Sequence, residues 1–263
     1  MIRTGCTYKE AFKHLNMSTL IYEHLAPITF RIGFLNHPFE GASAFFVSWI
    51  RQHFKSIESV ELSLPIEGAL LQLQPLAAIP RRWLFVQAAN GWVAYFDNCV
   101  RGPDPASTIG YMTEQLGCRG VIATSIPHNP PGNTGINRGI YGAVQFELFS
   151  PHKMEFLNYE RTVSVAYDTK WRFDANGAVQ SFEDLAKYQN RRIVDRFTTE
   201  MLKNYCHALG IRVDSSDFYQ NRAILVSSND PLPDGHLQFS LTEVQQQMGR
   251  LGQRTDAAAR ARL

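Results

Sequence analysis

The 263-residue sequence has little net charge and no long hydrophobic run. Its 26 lysine and arginine residues nearly balance 24 aspartate and glutamate residues, so the formal net charge is only +2. Without a basic run, the chain lacks the electrostatic footprint of nucleic-acid-binding proteins. No apolar stretch approaches the roughly 20 residues of a membrane span, and charges interrupt the N-terminal segment where a signal peptide would be apolar. We therefore expect a cytoplasmic protein that binds neither nucleic acid nor a membrane.

The usual signatures of bound metals and cofactors are also missing. The four cysteines lie far apart and form neither a CxxC pair nor a disulfide framework. The eight histidines are scattered, with no HExxH or HxH spacing. There is no P-loop, no dinucleotide-binding fingerprint and no GxSxG nucleophile elbow. We expect reduced thiols, no metal site and no cofactor.

What the sequence does contain is an ordinary globular composition, with 44% hydrophobic and 19% charged residues. Predicted strands come in runs, with helices between the groups, which favours an α+β fold with a mainly antiparallel sheet and helices packed on it. We expect one domain over residues 17–240. Residues 1–16 are poorly patterned and are expected to be a disordered leader, with translation starting at Met1 or Met17. The polar segment 241–263 should be helical or disordered.

The strongest local signal is a hairpin over residues 83–98 that turns at Asn90-Gly91. Asn-Gly suits a two-residue type I′ turn, which predicts that Phe85 faces Phe96. One face would then carry Trp83, Phe85, Trp92 and Phe96, and the other would carry Leu84, Val86, Val93 and Tyr95. Because both faces are apolar, we expect the hairpin to be covered on both sides and central in its sheet.

Shorter patterns predict the remaining elements. Beyond the hairpin, strands are predicted at 28–34, 60–64, 70–73, 118–126, 143–149, 162–167, 171–173 and 223–226. Helices are predicted at 44–54 with Ser43 as cap, from Asp104-Pro105 to 116 with Gly117 ending the helix, from Ser181 to about 194, and from Thr198 to Gly210.

The longest irregular segment, residues 127–142, is the best candidate for a binding loop. It is rich in glycine, proline and asparagine and follows a predicted strand, and loops of this length are often functional. Its candidate binding residues are His128, Asn129, Asn133 and Arg138. The alternative is a surface crossing with no role in binding.

A second candidate lies in residues 97–104, at the end of the central hairpin. Asp97 or Asp104 could act as a general base, and Arg101 could hold an anion. A structural interpretation explains the same residues, because Asp104 can cap a helix and Arg101 can pair with a neighbour. In an enzyme, Asp97, Asp104 and His128 would be catalytic, with both loops around one pocket.

Four further stretches carry a resemblance. They are the run WVAYFDNCVRGPDP, the run GCRGV at residues 117–121, the segment Phe156–Arg161, and the run DRFTTEMLKNYCHALGI. Together they resemble uncharacterised bacterial proteins, some of them expected near toxin–immunity loci. The resemblance spans roughly residues 80–220 and implies a bacterial, cytoplasmic, single-chain protein. It transfers no functional residue.

These observations favour a non-enzymatic protein-binding module, with an immunity-type inhibitor of a toxin as the specific case. The partner would be another protein, bound through aromatic and arginine side chains of the two loops. The alternative is a small-molecule hydrolase or transferase with its site between loops 97–104 and 127–142.

Overall fold

The computed structural model describes residues 17–131, 139–231 and 237–249. In this part of the chain, nine strands form one sheet in the order β2-β10-β4-β5-β1-β6-β7-β8-β9, and every neighbouring pair is antiparallel. Helices pack on the sheet, so the predicted α+β class is confirmed. A separate two-stranded pair joins β3 to β11.

Most elements are short. The strands are β1 (Arg31–Asn36), β2 (Ile57–Leu62), β3 (Leu76–Ala77), β4 (Arg82–Ala88), β5 (Trp92–Asp97), β6 (Gly120–Ile126), β7 (Ala143–Phe149), β8 (Tyr159–Asp168), β9 (Lys170–Gly177), β10 (Tyr219–Ser228) and β11 (Gln238–Phe239). The α-helices are α1 (Phe39–Ile50), α2 (Ile66–Leu71), α3 (Ala106–Leu116), α4 (Thr199–Ala208) and α5 (Leu241–Gln247).

The predicted hairpin is formed by β4 and β5, and both of its faces are covered. All six residues of β5 are buried. The predicted register is wrong by one residue, because Phe85 pairs with Tyr95 and not with Phe96. Residues Ala89–Gly91 make a three-residue loop. Such a shift moves every side chain of one strand to the other face.

Different helices pack on the two faces of the sheet. On the first face, which we call the α1/α3 face, these two helices cover Trp83, Phe85 and Tyr95. Helices α2, α4 and α5 pack on the opposite face, which we call the α4 face. Gly33 in β1 allows close packing under α3, since a Cβ there would lie 2.7 Å from Ile109 Cγ1.

Three sequence predictions of local structure are wrong. Residues 70–73 form the end of helix α2 and the turn after it, because Pro65 starts a helical turn that buries Leu70. Ser43 is not a cap, since α1 begins four residues earlier and the Ser43 hydroxyl donates to the Phe39 carbonyl at 2.8 Å. The helix predicted from Ser181 is replaced by two 3-10 turns, Lys187–Gln189 and Ile193–Asp195.

Other end signals are confirmed. Gly117 ends α3 in the left-handed conformation, with φ of 61°. Thr198 caps α4, where its side chain accepts a hydrogen bond from the Met201 amide. Near the C-terminus, Ser240 and Glu243 form a capping box on α5. Gln245 ties this helix to the core by donating to the carbonyls of His24 and Ala26, each at 2.8 Å.

Candidate functional site

A cluster of four aromatic rings lies where the long loop rejoins the sheet. The ring centroid of His128 lies 4.6 Å from that of Tyr167 and 5.0 Å from that of Trp171. Tyr141 stacks on Tyr167, with centroids 5.4 Å apart and planes inclined by 21°. We call His128, Tyr141, Tyr167 and Trp171 the aromatic surface.

The local sequence explains why these rings meet. Strands β8 and β9 join in a tight turn at Thr169, whose φ is 58°, so Tyr167 lies directly opposite Trp171. A backbone bridge between Asn129 and Ile140, with N–O distances of 2.9 and 2.7 Å, brings both ends of the loop to this hairpin. The backbone amide of Gly142 donates to His128 Nδ1 at 3.0 Å.

The rings of the aromatic surface pack on one another and are accessible. Tyr141 is 55% exposed, and the other three rings are partly buried. Burial lowers the pKa of His128. Because His128 Nδ1 accepts the Gly142 hydrogen bond, the neutral ring carries its proton on Nε2. A packed, half-exposed group of aromatic rings is suited to binding an apolar side chain of a partner.

Among the residues that the structure describes, strand β9 forms one end of the large sheet and is paired with β8. The side chains of Lys170, Arg172 and Asp174 are exposed along it, and those of Trp171 and Phe173 are partly buried. A terminal strand presents unpaired backbone groups, to which an extended segment can add. The aromatic surface lies at the first residues of this strand.

Asp97, the second predicted site residue, is buried at the end of β5 on the α1/α3 face. Its carboxylate accepts hydrogen bonds from the amides of Cys99 and Asp104, both at 2.9 Å, and from the Tyr95 hydroxyl at 3.3 Å. Burial raises the pKa of Asp97 to about 6, although the two amide hydrogen bonds lower it. These contacts make Asp97 the anchor of loop 97–104.

A further carboxylate, Glu147 of β7, lies on the same face. Burial raises its pKa to about 7, the positive charge of Arg31 opposes the rise, and Asp104 adds to it. Arg31 itself donates to the carbonyls of Arg101 and Pro103, each at 3.4 Å. A carboxyl group with this pKa can exchange a proton near neutrality.

The described residues of the two predicted loops make their contacts on different faces of the sheet. Asp97 shares the α1/α3 face with Tyr95, and Asp104 and Arg101 are exposed beside it. The aromatic partners of His128 extend from the α4 face, where Trp171 packs against the core. Asp104 makes no side-chain cap on α3.

The remaining predicted binding residues have other positions. The side-chain amide of Asn129 donates to the Met248 carbonyl at 2.8 Å, so it fixes the end of the C-terminal helix segment. Asn133 and Arg138 lie outside the described residues.

Sequence reasoning missed three members of the aromatic surface and a buried ion pair. Tyr141, Tyr167 and Trp171 lay within the predicted loop and strands, but their convergence depends on the hairpin register. Arg161 and Glu183 pair at 2.6 Å with side chains 4% and 0% exposed. The residues that form this ion pair come from separate elements, and the sequence has no pattern that marks them as partners.

Comparisons with known proteins give no relative: no protein-family model, no curated protein and no solved structure matches this chain. Among the described residues, no group of three or more histidine, cysteine or acidic side chains could hold a metal ion. The same residues contain no helix that is long and apolar enough to span a membrane.

Proposed function

We propose that this protein is a binding module that recognises another protein through the aromatic surface. The observation that carries the proposal is the half-exposed stack of Tyr141 on Tyr167, fixed against His128 and Trp171 at one end of the sheet. Tyrosine and tryptophan are enriched among the residues that dominate the energy of protein interfaces.

The preformed geometry supports this role. The rings pack on one another before any partner arrives, so binding costs little further side-chain entropy. Tyrosine and tryptophan also combine a large apolar area with a polar group that can donate a hydrogen bond at the rim.

Strand β9 defines the kind of partner segment that fits. An extended strand added beside β9 would take its backbone hydrogen bonds from the unpaired edge, and one of its apolar side chains would rest on the aromatic surface. The exposed charges of Lys170, Arg172 and Asp174 would select among partners by charge.

The bacterial proteins that the sequence resembles suggest a specific case, in which the module is an immunity-type inhibitor in the cytoplasm and its partner is a toxin. The hydrolase or transferase alternative has weaker support. It requires Asp97 and His128 in one pocket, whereas Asp97 contacts Tyr95 of the α1/α3 face and His128 contacts Trp171, which packs on the α4 face.

The test is affinity capture of partners with the purified chain, followed by titration of each captured protein. Replacing Tyr141 and Trp171 by alanine should weaken binding by about 30-fold or more, since the loss of even one interface anchor costs about 2 kcal/mol. Phe156→Ala is the matched control, because Phe156 is 71% exposed on a different loop. If the double variant binds every captured protein as tightly as the control does, the proposal is wrong.

The toxin case has its own test. Co-expression should restore growth of cells that produce a toxin encoded beside this protein, and the double variant should restore it poorly. If the bound partner is not a toxin, the proposal of a binding module stands and the immunity role is excluded.

A further inference from the structure

A polar cavity of about 460 Å³ lies away from the aromatic surface, where β4 begins and β10 ends. Two adjacent arginines, Arg81 and Arg82, line it together with Ser227, Asn229 and Gln238. All five side chains can donate hydrogen bonds. The cavity is therefore rich in donors.

Arg81 is the unusual member of this group. Its Nε atom is buried and has no hydrogen-bond partner among the described residues. The guanidinium carbon lies 4.8 Å from the ring centroid of Phe54, which holds the planar group in place. A buried donor without an acceptor is costly, because its lost hydration is not replaced.

The backbone around Arg81 is fixed independently of its side chain. The Asn98 side-chain oxygen accepts hydrogen bonds from the amides of Arg81 and Arg82 at 2.8 and 3.0 Å. The Nη1 group of Arg82 donates to the carbonyls of Gln72 and Gln74. Arg82 is thus held by the protein itself, whereas the Arg81 Nε is still without an acceptor.

Two carboxylates also line the cavity, and neither provides that acceptor. Both oxygens of Asp230 accept backbone amides, from Lys55 at 2.8 Å and from Ser56 at 2.9 Å. Glu58 is exposed on strand β2. In the described structure neither forms an ion pair with Arg81.

We propose that this cavity binds the oxyanion group of a small molecule, a phosphate or a carboxylate, with Arg81 as its principal contact. Because the Nε atom of Arg81 is buried, the anion would be bound by the two terminal Nη groups, which can donate two parallel hydrogen bonds to either group. Ser227 and Asn229 would donate to the remaining oxygens. This site is separate from the proposed protein interface.

The direct probe is the Nε–H resonance of Arg81 in ¹H–¹⁵N spectra of the full chain. Inorganic phosphate and acetate are titrated separately at constant ionic strength, with chloride as the reference salt. A saturable shift with a Kd of about 1 mM or lower supports the site. Tighter binding of phosphate identifies a phosphorylated ligand, and tighter binding of acetate identifies a carboxylated one.

Variants separate a specific site from general charge attraction, with affinity followed by calorimetry. Arg81→Met should weaken binding at least tenfold, and Arg81→Lys should weaken it less because it retains the charge. Arg191→Met removes the same charge from an exposed position elsewhere and should leave affinity unchanged. The proposal is overturned if neither anion gives a saturable shift, or if Arg81→Met and Arg191→Met reduce affinity equally.

Discussion

Glu183 and Glu147 are two carboxylates that approach the same sheet from opposite faces and have opposite environments. Glu183 accepts hydrogen bonds from Arg161, from the Gln180 amide at 2.7 Å and from the Tyr188 hydroxyl at 2.7 Å. No hydrogen bond reaches the Glu147 carboxylate from any residue that the structure describes. Its only favourable charge is that of Arg31.

The pKa values of the two groups follow from this difference. Burial opposes ionisation of Glu183, but its hydrogen bonds hold its pKa below the ordinary value. For Glu147, burial has no such compensation, and the pKa rises to about 7. Burial alone therefore does not determine whether an ionised carboxylate stabilises the fold. The number of hydrogen-bond donors that reach the carboxylate determines it.

We expect the largest change in the free energy of unfolding when the hydrogen-bond network around Glu183 is broken. Arg161→Met leaves Glu183 buried without its cation, and removing one partner of a buried pair typically costs 3–5 kcal/mol, so we expect a loss of about that size. Guanidinium chloride unfolding at pH 7 measures it.

The matched control is Arg191→Met, which removes an exposed guanidinium and should change the free energy of unfolding by less than about 0.5 kcal/mol. A loss below about 1 kcal/mol for Arg161→Met would show that the pair is not the anchor we describe.

Substitution of Glu147 should change the free energy of unfolding by a smaller amount and in the opposite direction, toward greater stability. The folded pKa of Glu147, about 7, lies above the unfolded value of about 4.3, so the contribution of this group to stability is fully present below about pH 4 and is lost as the pH rises to about 7. Glu147→Gln stays uncharged, and at pH 8 it should exceed the wild type by about 1–2 kcal/mol, with the difference vanishing near pH 4. Urea unfolding at several pH values checks this.

Glu183→Gln provides the contrast. The folded pKa of Glu183 is lowered, so its contribution is present above its ordinary pKa and is lost as the pH falls. This variant should therefore be least stable relative to wild type at neutral pH. If Glu147→Gln behaves in the same way, the comparison between the two carboxylates fails.

Much of the sheet could be predicted from the alternation of apolar and polar residues. The hairpin shows that this pattern predicts burial but not the register between strands. Apolar residues on both faces of 83–98 predicted burial on both sides, as the structure confirms. The register depended on whether Ala89 belongs to the strand or to the loop, and propensity does not decide that. The side chains of Gln145 and Glu147 alternate with apolar ones in β7, so their shared face was visible in the sequence.

The candidate sites were less predictable because they join distant segments. His128 was selected from its loop, but its contacts with Tyr167 and Trp171 follow from the β8–β9 turn at Thr169. The segment 181–194 had a capping signal in Ser181, yet Glu183 is held by Arg161, 22 residues earlier. Such long-range pairing outweighs a local helix signal.

The same comparison can be made between two buried threonine hydroxyls, for which we expect the smallest changes in stability. Thr124 is 1% exposed, and its Oγ1 has no hydrogen-bond partner among the described residues. Thr113 is also buried, but its hydroxyl donates to the Gly110 carbonyl at 2.8 Å and accepts from Asn158 at 2.7 Å. Valine has nearly the shape of threonine and lacks the hydroxyl.

Thr124→Val should therefore stabilise the fold by about 1 kcal/mol, and Thr113→Val should destabilise it by about 1–2 kcal/mol. Thermal unfolding of both variants measures the two signs, and a loss of stability in Thr124→Val would mean that its hydroxyl has a partner after all.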